Sequence, residues 1–427
     1  MRTARMALLG TLVAAAAIAL PAQTIAITGG TVYPVSGPAI KNGTVLIRNG
    51  KVAAVGANVA IPADAKKVDA TGKWVTPGFI NSTSVLGLVD VGFGGGSNES
   101  SAKGTDDVSA SFQPWLAYNP LNVLIPAARE QGITGVVIWP NGNLVGGQGA
   151  FVDLFPGSLP DVLVKAPVGM AVDFEEDRDA GVQARGELIG KLAGLLEETR
   201  AYMANKAAYT AGKTRAFDYG RANLEAMIPV VTGRLPMVMS VNRAADIEEA
   251  LRFAREQKVR VILYGASEGW MVAGKIAAAK VPVLTGAMNN IPRDFTELNS
   301  RQENAALLRK AGVTVVLVGN AGGGDEENFN VRNVRFEAGN AVGYGMTWDD
   351  ALAAVTTNAA QVFGVADKVG ALKVGMEGNV VVWDGDPFEF ATRAVHVYVR
   401  GVEYTQPSRK DLLTERYKNL PPDYFKN

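Results

Sequence analysis

Short runs in which apolar and polar residues alternate, separated by Gly, Pro and Asn, mark both ends of the chain. A period of two is typical of strands with one buried face. The predicted strands are 24–28, 45–48, 51–55, 379–383 and 395–400. Asn49-Gly50, between the second and third strands, is a strong signal for a two-residue hairpin. Neither end carries enough apolar surface to fold alone, so we expect one composite β-sandwich built from residues 23–75 and 368–404.

Between these ends, apolar strand-like runs alternate with longer segments of helical period. The predicted strands are 75–80, 133–139, 168–174, 236–241, 259–264, 281–285 and 313–318. The predicted helices are 119–131, 180–209, 243–257, 268–279, 298–311, 330–343 and 348–362. Repeated β-then-α units form parallel sheets, and about eight such units over residues 76–367 fit an α/β fold of the (β/α)8 TIM-like barrel type. An open doubly wound sheet is the alternative that this pattern leaves.

The first 22 residues follow a different pattern. Arg2 and Arg5 precede fifteen uncharged residues, 6–20, and a small residue, Ala22, comes shortly after. These features describe a secretory signal peptide, and the apolar stretch is shorter than the ~20 residues that span a bilayer. We therefore predict cleavage after Ala22 and a periplasmic or secreted protein, with an uncleaved anchor as the alternative. At the other end, residues 405–427 form a charged tail that we expect to be peripheral.

The amino-acid composition excludes several classes of functional site. The chain has no cysteine, one histidine, and 42 basic residues against 42 acidic ones. With equal numbers of basic and acidic residues, the chain lacks the excess positive charge that is typical of nucleic-acid-binding proteins and of polybasic membrane anchors. The absence of cysteine excludes disulfides, cysteine nucleophiles and thiolate metal sites. The one histidine, His396, alternates with Val395 and Val397 in a predicted strand, so we expect it to lie half-exposed outside the barrel.

Several short motifs follow one another in order along the chain. They are Val75-Thr76-Pro77-Gly78-Phe79-Ile80, Gln131-Gly132-Ile133-Thr134, Gly146-Gly147-Gln148-Gly149, Arg243-Ala244-Ala245-Asp246-Ile247, Ala266-Ser267-Glu268-Gly269, Ala354-Val355-Thr356-Thr357-Asn358-Ala359-Ala360, Val369-Gly370-Ala371-Leu372-Lys373-Val374-Gly375 and Val380-Val381-Val382-Trp383-Asp384-Gly385-Asp386-Pro387. In this order and spacing the chain resembles the amidohydrolase superfamily, in particular its imidazolonepropionase-like exported branch. The resemblance implies a TIM-like barrel with a composite β-sandwich, in agreement with the periodicity.

The resemblance also implies metal-dependent hydrolysis, but this chain has other residues at the positions of the metal ligands. In that family one or two divalent metals at the mouth of the barrel, held by imidazoles and carboxylates, activate water for attack on an amide or ester carbon. The matching positions are Asn81, Thr83 and Val85 on the first strand, Ser240 and Asn242 on the fifth, Gly265 on the sixth and Asn320 on the eighth, with Ala171 at a lysine position of the fourth. We therefore interpret Thr83, Val85, Ser240, Asn242, Gly265 and Asn320 as degenerate metal positions. No cofactor is expected, unless zinc or another divalent metal supports a retained family activity.

Other polar residues follow the predicted strands, where a barrel presents functional groups. Asp173 and the acidic residues at 175–177 offer carboxylates for Ca²⁺ or Mg²⁺, or form the acidic start of a helix. Arg243 and Glu268 retain the family's identities, and they either bind the charged groups of a substrate or pair with each other. Asp173, Glu268 and Arg243 are thus the candidate catalytic residues.

Two further patterns have alternative interpretations. The glycine-rich stretches 92–96 and 146–149 predict tight loops, with phosphate binding as the alternative, although no Gly-Lys-Ser/Thr follows either stretch. Ser82 and Ser84 lie where a nucleophile would be placed, but activation would require a lysine such as Lys103 in the polar loop 97–107.

These observations favour an exported protein that has lost its metal centre. It would act as a non-catalytic binding or partner subunit, beside a catalytically intact relative or in a homo-oligomer. The alternative is a hydrolase of C–N bonds in amides, cyclic amides or dipeptides that works through an atypical mechanism. A third hypothesis is binding of a small zwitterion at the barrel mouth.

Overall fold

A computed structural model of the chain describes residues 23–90, 97–102, 107–142, 144–174, 184–292, 295, 297–319, 330–404, 407 and 409–418. The predicted signal peptide at 1–22 and the glycine-rich stretch 92–96 lie outside these residues. The strands, in chain order, are β1 Ile25–Val32, β2 Ile40–Arg48, β3 Lys51–Gly56, β4 Lys66–Asp69, β5 Trp74–Pro77, β6 Phe79–Ser84, β7 Ile133–Ile138, β8 Val145–Asp153, β9 Leu163–Asp173, β10 Met237–Val241, β11 Val261–Gly265, β12 Val283–Thr285, β13 Val315–Leu317, β14 Val380–Trp383, β15 Ala394–Val399 and β16 Val402–Glu403.

Most helices are shorter than the helical segments predicted from the sequence. They are α1 Leu124–Glu130, α2 Leu159–Val162, α3 Arg185–Ala204, α4 Lys206–Thr210, α5 Arg221–Val231, α6 Ala244–Gln257, α7 Ala273–Ala279, α8 Asn304–Lys310, α9 Val334–Gly343, α10 Trp348–Ala354, α11 Thr357–Val362 and α12 Arg409–Tyr417. The predicted helix 348–362 is interrupted because Thr356 leaves the helical region, with φ −138° and ψ −92°. Across the described ranges, none of these helices is both long and apolar enough to cross a membrane.

Strands from both chain ends combine in one domain, as expected, and they form a single hydrogen-bonded sheet. Its order is β16-β15-β14-β5-β1-β2-β3, with β4 also paired to β1. The predicted hairpin joins β2 and β3, and Asn49 and Gly50 both adopt positive φ, as a type I′ turn requires. The C-terminal strands enter this sheet through antiparallel pairing of β14 with β5. The two ends therefore share a single core.

A second eight-stranded sheet, in the order β6 to β13, curls into a nearly closed barrel. Asn81 bridges the seam between its first and last strands. The Gly319 N–H donates to Asn81 Oδ1 at 3.2 Å, and Asn81 Nδ2 donates to the Val331 carbonyl at 3.3 Å. One side chain from each strand fills the interior, namely Ile80, Val137, Phe151, Val168, Val238, Ile262, Leu284 and Val316. The TIM-like architecture is confirmed, and the open doubly wound alternative is not adopted.

The third barrel strand, β8, differs from the prediction. It runs antiparallel to both β7 and β9, and it contains the glycine-rich stretch 146–149 that was predicted to be a loop. Packing explains the glycines, because a Cβ at Gly149 would lie 2.4 Å from the Trp139 ring. Gly147, with φ +127°, adopts a backbone conformation that other residues rarely accept. These glycines therefore permit close packing of a buried strand.

An ion pair joins the barrel to the sheet domain. Asp153, the last residue of β8, is fully buried, and its Oδ2 accepts a hydrogen bond from Arg400 Nε at 2.7 Å. Arg400 follows β15 and also donates to the Asp161 carbonyl at 2.7 Å. Burial raises the pKa of Asp153 to about 6, although Arg400 acts in the opposite direction. The proximity of Arg400 only partly offsets the cost of placing this carboxylate in the interior.

We predict that the free energy of unfolding falls by roughly 3 kcal/mol as the pH rises from ~4 to ~6, because of the titration of Asp153 alone. In this window the folded protein retains a proton that the unfolded chain, with an ordinary pKa of 3.8, releases. The Asp153→Asn variant cannot ionise at this position. Its stability relative to wild type should therefore increase with pH in urea unfolding, whereas Asp64→Asn, an exposed control, should follow wild type. An unchanged difference between wild type and Asp153→Asn would contradict the prediction.

Candidate functional site

A cavity of about 250 Å³ opens at the C-terminal ends of the parallel barrel strands. We call it the mouth pocket. Its walls include Thr83 from β6, Trp139 after β7, Asp173 and Ser240 at the ends of β9 and β10, and Tyr264 from β11. A larger groove of about 1360 Å³ lies between α6 and α7, but it borders the strand starts at Val261 and Pro282. Because barrel enzymes bind ligands at the C-terminal face, we assign the candidate site to the mouth pocket.

Two buried hydroxyls on β6 lack internal partners. Thr83, which lines the mouth pocket, is 5% exposed, and neither its Oγ1 nor the Oγ of Ser82 has a hydrogen-bond partner among the described residues. Leaving a buried polar group unpaired costs about 1–3 kcal/mol, so such a group facing a cavity favours a polar occupant. Ser84 Oγ instead accepts from the Leu86 N–H at 2.9 Å. Lys103, the lysine considered as an activating group, lies outside the described residues.

The residues predicted to be degenerate metal positions occupy different environments. Thr83 and Ser240 line the mouth pocket, Val85 is buried in the hydrophobic core, and Asn242 and Gly265 lie at the ends of β10 and β11. Asn320 lies outside the described residues. Asn81 lies where the family has an acidic residue on the first strand. Its side chain makes the hydrogen bonds across the barrel seam and also accepts from the Thr83 N–H at 3.3 Å.

Hydrogen bonding among neutral groups fills the space around Gly265. This residue has φ +84°, and a Cβ there would lie 2.5 Å from Asn242 Oδ1. Asn242 Oδ1 in turn accepts hydrogen bonds from the Ser267 N–H at 3.2 Å and the Ser267 hydroxyl at 2.6 Å. A histidine at position 265 would therefore require both an unfavourable backbone and displacement of Asn242. The local structure is adapted to the absence of a side chain.

This donor set does not fit the family's metal. Zinc sites are built from imidazole, thiolate and carboxylate ligands, whereas the matched positions offer neutral hydroxyl and amide groups, an isopropyl group and a glycine. Within the described ranges there is also no cluster of three or more His, Cys, Asp or Glu side chains placed to hold a metal. Asp173 lies at the mouth pocket, but residues 175–177 of the proposed Ca²⁺ or Mg²⁺ cluster are not described. That part of the hypothesis stays a prediction.

Glu268 and Arg243 have structural partners and do not form the pair that the sequence suggested. Glu268 is 3% exposed, and its Oε2 accepts from the N–H of Ala244, the first residue of α6, at 2.9 Å. Its Oε1 accepts from the backbone N–H and the side-chain amide of Asn299, both at 3.0 Å. Arg243 Nη2 donates to Asp246 Oδ1 at 2.9 Å. Of the three catalytic candidates, only Asp173 is among the residues that line the mouth pocket.

His396 lies in β15 of the sheet domain, outside the barrel, as expected. Its Nδ1 is 2.7 Å from Glu403 Oε1, and Glu403 also pairs with Lys66 at 2.8 Å. Sequence reasoning did not identify Trp139 and Tyr264 as pocket residues. Their positions at the ends of predicted strands were an available signal, since the C-terminal ends of barrel strands form the mouth.

Comparison with known proteins agrees with this architecture. A model of the amidohydrolase family matches residues 240–410. The amidohydrolase tasK of Hapsidospora irregularis is 21% identical over 396 residues, which cover 84% of this chain but only 39% of that protein. The crystal structure of an amidohydrolase from Thermotoga maritima MSB8 superposes with a TM-score of 0.80 and 29% identity, and covers 90% of this chain and all of that chain.

Two further similarities are narrower. A dihydroorotase of Anaeromyxobacter sp. (strain K) is 58% identical over 38 residues, only 9% of each chain. Molinate hydrolase shares 19% identity with a TM-score of 0.53 over 90% of this chain and 95% of its own, which shows the fold alone. The fold and the mouth define a TIM-like barrel with a candidate binding site at the C-terminal ends of its strands. The chain is similar to amidohydrolases in its C-terminal sequence and in its overall fold.

We predict that Gly265→Ala lowers the free energy of unfolding by roughly 2 kcal/mol, because a side chain at positive φ is strained and would displace Asn242. Gly274→Ala is the matched control. Gly274 lies in α7 with nothing within 4 Å of its would-be Cβ, so helix propensity should make that substitution neutral or stabilising by up to ~1 kcal/mol. Chemical unfolding measures both. Equal stabilities of Gly265→Ala and wild type would refute the proposed packing.

We predict that Glu268→Gln destabilises the protein by roughly 1–3 kcal/mol whether or not the protein is an enzyme, because an amide group would replace an acceptor facing N–H donors. Glu248→Gln is the control, since Glu248 belongs to an exposed pair with Lys275 whose contribution should be below ~1 kcal/mol. Thermal unfolding of the two variants provides the comparison. A wild-type melting temperature for Glu268→Gln would show that these hydrogen bonds contribute little.

Proposed function

We propose that this protein is a non-catalytic member of the amidohydrolase family that binds a small polar molecule in the mouth pocket and serves as a binding or partner subunit. The observation that carries the proposal is that the positions predicted to match the family's metal ligands have structural contacts of their own. Asn242 and Gly265 form a packed hydrogen-bonded corner with Ser267, while Val85 belongs to the core. A bound metal would require these positions to be rebuilt.

The mouth pocket supports the binding part of the proposal. It combines a buried hydroxyl, Thr83, with the aromatic side chains of Trp139 and Tyr264 and the polar groups of Asp173 and Ser240. Concave sites of this kind, mostly apolar with a few placed polar groups, are typical of small-molecule binding. A ligand of the native state raises its melting temperature, so a thermal-shift screen of small zwitterions and neutral polar compounds is the direct search.

The partner in this proposal is a catalytically intact relative or a second copy of this chain. The match to tasK covers only 39% of that protein, so its activity and partners are not carried over to this chain.

We predict that protein purified from metal-supplemented medium contains no stoichiometric zinc, manganese or iron, because the described donor positions lack charged or imidazole ligands. Elemental analysis of the purified protein measures this. One zinc, manganese or iron ion per chain would overturn the proposal. Loss of that ion in the matched variant Thr83→Ala would then locate it in the mouth pocket.

A metal-independent hydrolase of C–N bonds is the second candidate. It is favoured by the placement of Asp173 directly opposite Ser240 in the β9–β10 register, where a carboxylate and a hydroxyl both border the mouth pocket. Positioned carboxylates act as general acids or bases.

We expect no turnover of dipeptides or cyclic amides, with or without EDTA, because the proposed protein is non-catalytic. Turnover that persists in EDTA and is lost in Asp173→Asn, but not in Asn141→Ala of the same pocket, would instead establish this hydrolase. Glu268→Gln is a poor probe for this question, because loss of its hydrogen bonds affects folding as well.

We also propose that the protein is exported, on the basis of the signal-peptide pattern at residues 1–22. The mature protein would begin at Gln23 and reside in the periplasm or outside the cell. Amino-terminal sequencing of the protein recovered from those compartments tests this, and retention of Met1–Arg5 at the terminus would exclude cleavage.

A further inference from the structure

The C-terminal helix α12 exposes an apolar face. It spans nine residues, Arg409–Tyr417, and the exposed fractions of Leu412, Leu413 and Tyr417 are 59%, 39% and 54%. Leu413 and Tyr417 are four residues apart and therefore share one side of the helix. A helix this short is marginal in water and is stabilised mainly by packing its apolar face against another surface. We therefore expect α12 to need such a surface in order to remain helical in solution.

A matching surface lies between α9 and residues 386–390. It is a groove of about 480 Å³, which we call the aromatic groove, and its walls include Phe336, Tyr344, Phe388 and Phe390. The rings of Phe336 and Phe390 stack with centroids 4.1 Å apart and planes 6° from parallel. Phe390 is nonetheless 76% exposed and Tyr344 41%. Clustered exposed aromatic side chains of this kind mark interaction surfaces.

The charges of the two surfaces are complementary. Asp386 and Glu389 line the aromatic groove, and no lysine or arginine is among its lining residues. The segment 409–418 contains four basic residues, Arg409, Lys410, Arg416 and Lys418, against two acidic ones, Asp411 and Glu415, which gives a net charge of +2. A segment with an apolar side and a small net positive charge thus has a partner in an aromatic, acidic groove. The groove between α6 and α7 lacks this match, because Arg252, Arg255, Arg260, Lys275 and Lys280 line it.

We propose that two copies of this chain exchange their C-terminal helices, so that α12 of each copy lies in the aromatic groove of the other. Leu413 and Tyr417 would pack on Phe336 and Phe390, with Arg416 and Lys418 toward Glu389. Within a single copy the apolar residues of α12 remain exposed, which favours a second copy as the occupant. The arrangement is a closed two-fold dimer with two identical contacts. It is independent of ligand binding, because the aromatic groove and the mouth pocket share no lining residue.

Sedimentation equilibrium of the mature chain, residues 23–427, tests the exchange. We expect about twice the monomer mass for wild type and the monomer mass for a chain ending at residue 404. Leu413→Asp and Phe390→Ser alter exposed side chains, so both should fold and both should give monomers. Leu121→Ser, at an 86% exposed apolar position outside the aromatic groove, is the control and should remain dimeric.

A mixing experiment distinguishes helix exchange from any other dimer. The chain ending at residue 404 retains the groove, whereas Phe390→Ser retains the helix, so an equimolar mixture should form a heterodimer held by one contact. Each protein alone should remain monomeric. A monomeric wild type would overturn the proposal, as would dimers that persist in Leu413→Asp or a mixture that does not associate. A monomer in which deleting the tail deprotects residues 386–390 from hydrogen exchange would show docking within one chain instead.

Discussion

The pairing of β5 with β14 is the contact on which the rest of the structure depends. It joins segments about 300 residues apart, with Trp383 opposite Trp74 and its indole N–H donating to Thr76 Oγ1 at 2.9 Å. Because β5 leads almost directly into β6, the same pairing places the C-terminal strand beneath the barrel. Trp383 stacks on Phe79 and occupies space beside Gly132, where a Cβ would lie 2.3 Å from its ring. The ion pair between buried Asp153 and partly exposed Arg400 then fixes the remaining side of the junction.

Neutral hydrogen bonds hold the strand ends together at the mouth of the barrel. A metal links several strand ends through strong electrostatic bonds to charged or imidazole ligands. Here the strand ends are linked by neutral hydrogen bonds, from Asn242 to Ser267 and from Asn81 to Gly319 and Val331. Glu268 adds a buried carboxylate that organises three backbone and side-chain donors. In the pocket wall, the buried hydroxyl of Thr83 has no hydrogen-bond partner among the described residues and is available to a ligand.

Hydrophobic periodicity was sufficient to predict most strands, the Asn49-Gly50 hairpin and the joining of the chain ends, because these depend on local pattern and total apolar surface. It was insufficient for β8, whose glycines have weak strand propensity and are explained only by the Trp139 ring packed against them. The candidate site was predicted in part. Thr83, Ser240 and Asp173 do line one pocket, but the role of Glu268 depends on Ala244 and Asn299 approaching it in space. No spacing along the chain contains that information.

The reversed direction of β8 has a consequence for how this mouth could be remodelled. In a regular barrel each strand exit leads into a long loop before its helix, and such loops are free to change in length. Here β8 instead follows β7 closely along the chain and runs antiparallel to it, and the Trp139 N–H donates to the Ser84 carbonyl. That side of the mouth lies between two strands that are hydrogen-bonded to each other. Changes in ligand preference would therefore have to arise from the side formed by β9, β10 and β11, while the Trp139 wall keeps its shape.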